Sequence, residues 1–139
     1  MRPVYEKGSD RKNQLLVAKS FEDKWGYTFS ETEELCHWDF DAYFKGRLRA
    51  LVEVKCRTIS VKQFDTYIIS QNKMQEVYNA AGDRGVKAIL IVRWIDTVGW
   101  LHYDEPNNYE IKLGGRYDRS DQGDIESVIH IPILDFNVI

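Results

Sequence analysis

The chain has 139 residues, 43% of them hydrophobic, which suits one ordinary domain over residues 1–139 with a core large enough to need no staples. Against 22 Asp and Glu stand 19 Lys and Arg, for a formal net charge of −3. That balance excludes a protein that coats nucleic acid through its overall field, so an anionic partner has to be met by a local patch.

Two cysteines, Cys36 and Cys56, lack CxxC spacing and a histidine cluster, which argues against a zinc site or a disulfide framework. With no long apolar run and no apolar signal region after Met1, the expected location is the cytoplasm, without a membrane partner.

Residues 1 to about 10 are polar. Ser9 or Asp10 then caps a helix whose stripe is Gln14, Val17, Ala18, Phe21 and Trp25, and Gly26 ends it. Gln14 is the polar member of that stripe: it lies at the stripe's edge or points into a site. Tyr27-Thr28-Phe29 reads as a short strand, and Ser30 to Leu35 as a loop or helical turn.

From His37 the period changes to two. Trp38, Phe40, Ala42, Phe44, Leu48, Ala50, Val52 and Val54 are apolar and share a face if His37–Lys55 is a β-hairpin. The opposite face carries His37, Asp39, Asp41 and Tyr43, then Arg49, Leu51, Glu53 and Lys55. The two polar sets coincide only if the loop has an odd number of residues, which Lys45-Gly46-Arg47 satisfies. Phe44 then closes on Leu48, Asp39 stands opposite Glu53, and His37 stands opposite Lys55. A longer loop would shift the register and make Asp41 the partner of Glu53. Carboxylates opposed at roughly 5 Å destabilise a sheet unless something positive sits between them, and a divalent cation meets that need. A solvated Asp/Glu/Lys face would contribute only about 0–1 kcal/mol and would leave the shared face of Asp39, Asp41 and Glu53 unexplained.

Past the hairpin, Ile59 to Ile69 is an irregular connection ending in strand-like Tyr67-Ile68-Ile69. Ser70 caps a second helix with Met74, Val77, Tyr78 and Ala81 on its stripe, so the first turn is expected to expose Gln71 and Lys73. Lys87 to Ile95 is a nearly continuous apolar run, as in a strand covered on both faces, and strand, helix, strand implies a right-handed crossover in a mixed sheet. Thr97 to Tyr103 reads as an edge strand with Gly99 at a bulge. Asp104 to Asn108 is a turn and Tyr109 to Leu113 a short strand. Gly114 to Gly123 is a charged, glycine-rich loop, and Ser127 to Ile139 docks as a last strand or cover.

The order helix, hairpin with Asp39 and Glu53-Val54-Lys55, helix, buried strand resembles the PD-(D/E)XK nuclease superfamily over residues 10 to 95, including its restriction enzymes and Holliday-junction resolvases. The closing Gly114 to Asp121 segment is similar to those of small phage-encoded members. The resemblance implies an α/β (α+β) restriction-endonuclease-like fold, with an αβββαβ core and a mixed central sheet flanked by helices. It implies a metal-dependent DNA nuclease in which Asp39, Glu53 and the Val54 backbone carbonyl hold Mg²⁺, with Mn²⁺ as a substitute, and Asp41 is a further catalytic candidate. Trp38 stands where many members have proline. Gln14 occupies about the position of a first-helix glutamate and brings no charge. Gln71 and Tyr78 do not reproduce the Gln-x-x-x-Tyr spacing of one subgroup.

Phosphodiester hydrolysis needs an activated water and neutralisation of charge growing on the phosphate, which hard cations on carboxylate oxygens supply. Lys55 positions the water or stabilises that charge; neighbouring carboxylates favour an ammonium, which argues against proton abstraction. Gln71 and Lys73 at a helix start, with Arg57, Arg116 and Arg119, are candidate phosphate contacts, each of which also reads as an ordinary solvated residue. The alternative is a catalytically silent nuclease fold used as a DNA-binding or interaction module. Monomer and homodimer both stand.

Overall fold

The structure, a computed structural model, describes residues 8–33, 36–104, 109–114 and 126–139. Its two helices form where the 3.6-residue stripes lie. Helix α1 (Gly8–Trp25) buries Gln14, Val17, Ala18 and Phe21, and Gly26 ends it at φ 71°, its N–H bonded to the Glu22 carbonyl at 3.0 Å. Helix α2 (Gln71–Asp83) starts on Ser70, whose Oγ accepts the Lys73 N–H at 3.2 Å, and it buries Met74, Val77 and Ala81.

Six strands form the central sheet: β1 (Thr28–Glu31), β2 (Phe40–Phe44), β3 (Arg47–Cys56), β5 (Lys87–Arg93), β6 (Val98–His102) and β9 (Asn137–Val138), in the order β1-β2-β3-β5-β6-β9. The pair β3/β5 is parallel and its neighbours are antiparallel, so the sheet is mixed. Strands β4 (Thr66–Ser70), β8 (Glu126–Pro132) and β7 (Glu110–Gly114) make a smaller antiparallel sheet in the order β4-β8-β7. Helix α1 covers one face of the central sheet, packing Val17, Ala18 and Phe21 on Ala50, Val52, Val54 and Ile91. Helix α2 and the smaller sheet cover the other, where Met74, Val77, Ile129 and Ile131 meet Leu51, Leu90 and Val92. This is the expected αβββαβ core, with β4 diverted into the second sheet. No helix among the described residues is long and apolar enough to cross a membrane.

The hairpin differs from expectation at its tip. The loop has two residues, with Phe44 opposite Arg47 and Tyr43 opposite Leu48; Lys45 (φ 51°) and Gly46 (φ 77°) both take the left-handed conformation of a primed turn. A β-bulge at Ala42/Tyr43 leaves Arg49 as the extra residue on β3 and restores Ala42 opposite Ala50 and Phe40 opposite Val52. The bulge reverses side-chain parity, so Leu48 packs with the α2-side core instead of sharing the face of Ala50, Val52 and Val54. The inner register is the one a three-residue loop would have produced.

The tail after Ser127 feeds both sheets, through β8, a 3-10 turn (Ile133–Asp135) and β9. Strand β6 is therefore not an edge: Gly99 pairs with Val138 and Trp100 with Asn137. Nor is Gly99 at a bulge, because β5 and β6 pair without a break from Ile89↔His102 to Arg93↔Val98. It is glycine because a Cβ there would lie 3.1 Å from the Phe136 Cβ and 3.2 Å from the Trp94 ring. Gly99→Ala should cost about 1–3 kcal/mol, read as a lower urea midpoint.

Two core tyrosines bear on the alkaline limit. Burial pushes the Tyr67 hydroxyl up to about 12, against the opposing pull of the Arg57 guanidinium, and burial pushes Tyr103 up to about 12. Both folded values lie above the unfolded value of about 10, so this contribution to stability is complete below about pH 10 and is lost as pH rises towards 12. Thermal midpoints should fall across that window, and Tyr67→Phe and Tyr103→Phe should each flatten the fall.

Candidate active site

Strand β3 runs through the centre of the sheet with Val52 and Val54 buried towards α1, so Glu53 between them must point to the α2 side, where it is 0% exposed. Asp39 sits one residue before β2 and is buried as well. The Asp39 N–H donates to the Val52 carbonyl at 2.9 Å, and its Oδ2 accepts the Val54 N–H at 2.8 Å. The Asp39 carboxylate therefore lies against the backbone of the residue that follows Glu53. Such a charge-assisted bond fixes its orientation.

From the other side of the sheet, Gln14 of α1 donates through Nε2 to the Val54 carbonyl at 3.2 Å, and its Oε1 accepts from Arg11 Nη1 at 3.0 Å. Arg11 also pairs with Glu31 through Nε at 3.0 Å. Of the two readings of Gln14 from sequence, the structure has it pointing to the carbonyl between Glu53 and Lys55. Nearby, Arg93 donates to Asn13 Oδ1 at 3.3 Å, tying the end of β5 to the same helix.

Two lysines face Glu53. Lys55 Nζ stands 4.0 Å from Glu53 Oε1, and Lys73 Nζ, from α2, stands 3.2 Å from the same oxygen. The expectation that the first helical turn exposes Lys73 is corrected: its side chain is only 12% exposed. The signal was in the sequence, since Lys73 stands four residues before Val77 and so lies on the buried stripe. Gln71 opens the helix and is half-buried.

Other expected residues lie apart. Asp41 pairs with Leu51, and its Oδ1 accepts the Trp38 indole N–H at 2.7 Å. His37 turns to α2, where its Nδ1 is 2.8 Å from Glu76 Oε2, rather than to Lys55. Exposed Arg57 donates to the Tyr67 hydroxyl at 2.9 Å and to the Ile68 carbonyl at 3.4 Å, beside a cavity of about 310 Å³ lined also by Phe64, Thr66 and Trp94. One wall of that cavity is the turn after Ile59, pinned by Asp96. The Ser60 hydroxyl and then the Val61 N–H hold the Asp96 carboxyl below the usual carboxylate range. Arg116 and Arg119 lie outside the described residues, as does the loop that carries them from residue 115 on.

The donors gathered here are hard oxygens, from two buried carboxylates and the Val54 carbonyl, which retains a second lone pair beside the Gln14 bond. This chemistry fits Mg²⁺ or Mn²⁺ better than zinc. Among the described residues, no group of three or more His, Cys, Asp or Glu side chains is placed to hold a metal, so a cation here would take the carbonyl or water as further ligands.

The model of the family described as "Phage putative PDDEXK endonuclease" matches residues 1–139. The chain belongs to that family. No curated protein matches the PDDEXK chain. Among solved structures it is similar to Archaeoglobus fulgidus Hjc, a Holliday junction resolvase from an archaeal hyperthermophile, with 12% identity and a TM-score of 0.58 over 94% of this chain and 89% of that one. At that identity the likeness establishes the fold, and a PDDEXK endonuclease family makes the chain nuclease-type.

Gln14→Leu removes the donor on the Val54 carbonyl and the acceptor of Arg11. It should lower stability by about 1–3 kcal/mol in urea denaturation without metal, the usual cost of leaving buried polar groups unmatched.

Proposed function

We propose that this chain is a divalent-metal-dependent DNA nuclease that hydrolyses phosphodiester bonds, residues 1–139 forming a single nuclease domain. What carries the reading is one arrangement: Glu53, wholly buried, beside an Asp39 carboxylate bonded to the Val54 N–H, with Lys55 4.0 Å away. Two carboxylates in a dry sheet are costly as a purely structural feature and useful as a metal seat. Asp39, Glu53 and the Val54 carbonyl would hold Mg²⁺, with Mn²⁺ as a substitute, and when bound the ion would supply water polarisation and positive charge for the phosphate. Lys55, half-exposed at the end of β3, positions the attacking water and offsets charge on the phosphoryl oxygens. Gln14 steadies the Val54 carbonyl from behind. Arg57, Gln71, Arg116 and Arg119 are candidate phosphate contacts, and Asp41 is an outlying carboxylate whose oxygen is engaged by Trp38. As a phage-type enzyme it would act on DNA in the host cytoplasm, as a monomer or a homodimer.

The deciding experiment is a cleavage panel of supercoiled, linear, single-stranded and four-way DNA with Mg²⁺. The wild-type chain should cut at least one substrate, and Lys55→Ala should slow it by about 10²-fold or more. Asp39→Ala and Glu53→Ala should each abolish cutting; the metal-site reading is wrong if both leave divalent-dependent cleavage intact. In calorimetric Mg²⁺ or Mn²⁺ titration, Asp39→Asn should lose more affinity than Asp41→Asn. DNA binding with no cleavage under any divalent metal would instead favour the silent binding module.

A further inference from the structure

The Glu53-Val54-Lys55 pattern accounts for one of the two lysines at Glu53. The other comes from a different element, and it is the closer and more buried: Lys73 Nζ is 3.2 Å from Glu53 Oε1 with 12% of the side chain exposed, against 4.0 Å and 32% for Lys55. Its delivery is rigid. The Lys73 backbone N–H is held by the Ser70 cap, and Met74 and Val77 lock the same turn into the core. A phosphate contact at a helix start would send its ammonium into solvent, whereas this one runs inward to a carboxylate that is 0% exposed.

Removing a carboxylate from water without a countercharge is costly, and so is removing an ammonium. Each of these two groups therefore makes the other's burial tolerable. A divalent cation at Asp39 and Glu53 would do the same work for Glu53 and would repel an ammonium 3.2 Å from its ligand oxygen.

We propose that Lys73 is the resident counterion of Glu53: it neutralises the carboxylate in the metal-free protein, and a divalent cation must take Glu53 away from it. The inference rests on the reading of Asp39 and Glu53 as metal ligands. It makes Lys73 a positioning residue that holds the empty site in shape and sets the threshold for metal loading.

The test has two arms. In EDTA, a double-mutant cycle of Lys73→Met and Glu53→Gln is followed by urea denaturation: Lys73→Met should lower the midpoint, and Glu53→Gln in the same chain should restore most of it. Additive effects would overturn the counterion role. With metal, calorimetry should show Lys73→Met binding Mg²⁺ or Mn²⁺ about fivefold or more tightly than wild type, with a larger rise of Tm on loading. Unchanged or weaker affinity, especially with a loss of DNA affinity, would overturn the competition and make Lys73 a phosphate contact. Lys73→Gln removes the charge but keeps a donor for Glu53, and it carries both arms if Lys73→Met does not fold. If the wild-type chain binds no divalent ion, the metal-site reading fails, while the EDTA cycle still decides whether Lys73 neutralises Glu53.

Discussion

A carboxylate in the middle of the central sheet, wholly out of solvent, sets the terms for everything around it. Glu53 cannot turn outward, because Val52 and Val54 on either side are committed to the α1 core and strand parity sends the residue between them the other way. Its charge has to be met where it stands. The molecule meets it from two directions, with Lys55 along the strand and Lys73 down from α2, and it anchors the neighbouring Asp39 carboxylate on the Val54 N–H. The cluster is thus a solution to an electrostatic constraint.

That constraint gives the smaller sheet a purpose. Strand β4 ends at Ser70, the residue that caps α2, so β4 fixes where the helix begins and hence where Lys73 points. Strand β8 holds β4 in place and contributes Ile129 and Ile131 to the core beneath α2. A cluster that looks remote from the carboxylates in sequence is mechanically one step away from them. The same β4 carries Tyr67, the acceptor for Arg57 just past the end of β3, so the two sheets are also tied there.

Much of this was legible in the chain. Period-two alternation over Phe40 to Ala42 and Ala50 to Val54 and the capped stripe after Ser70 reported local geometry directly, because one face of each element is buried and a polar residue in the wrong phase is costly. Trp38, in the bend before β2, and Leu48, beyond the bulge, fall out of that phase and pack with the α2-side core. The inner hairpin register was recoverable from parity, although the tip reaches that register by a two-residue turn plus a bulge. What the pattern could not convey was long-range placement. Nothing local distinguishes a Lys73 that reaches across to Glu53 from one that faces water except its spacing from Val77. Gln14 was ambiguous for the same reason, since its partner, the Val54 carbonyl, lies 40 positions away. Gly99 looked like a bulge because glycine in a strand has two causes, and the close approach of Phe136 is set by a tail that folds back from the far end of the chain.

The bulge at Arg49 has a further effect. Tip and site follow different registers, with Tyr43 and Leu48 on one side of the discontinuity and Ala42 and Ala50 on the other. Removing the single residue Arg49 would leave the turn and its two adjoining pairs unchanged while Ala42 still met Ala50. The hairpin therefore contains an insulating joint: a length change of one residue at its outer end can be absorbed there without rotating Glu53 away from Lys73. A chain built this way keeps its charged centre in phase across that change.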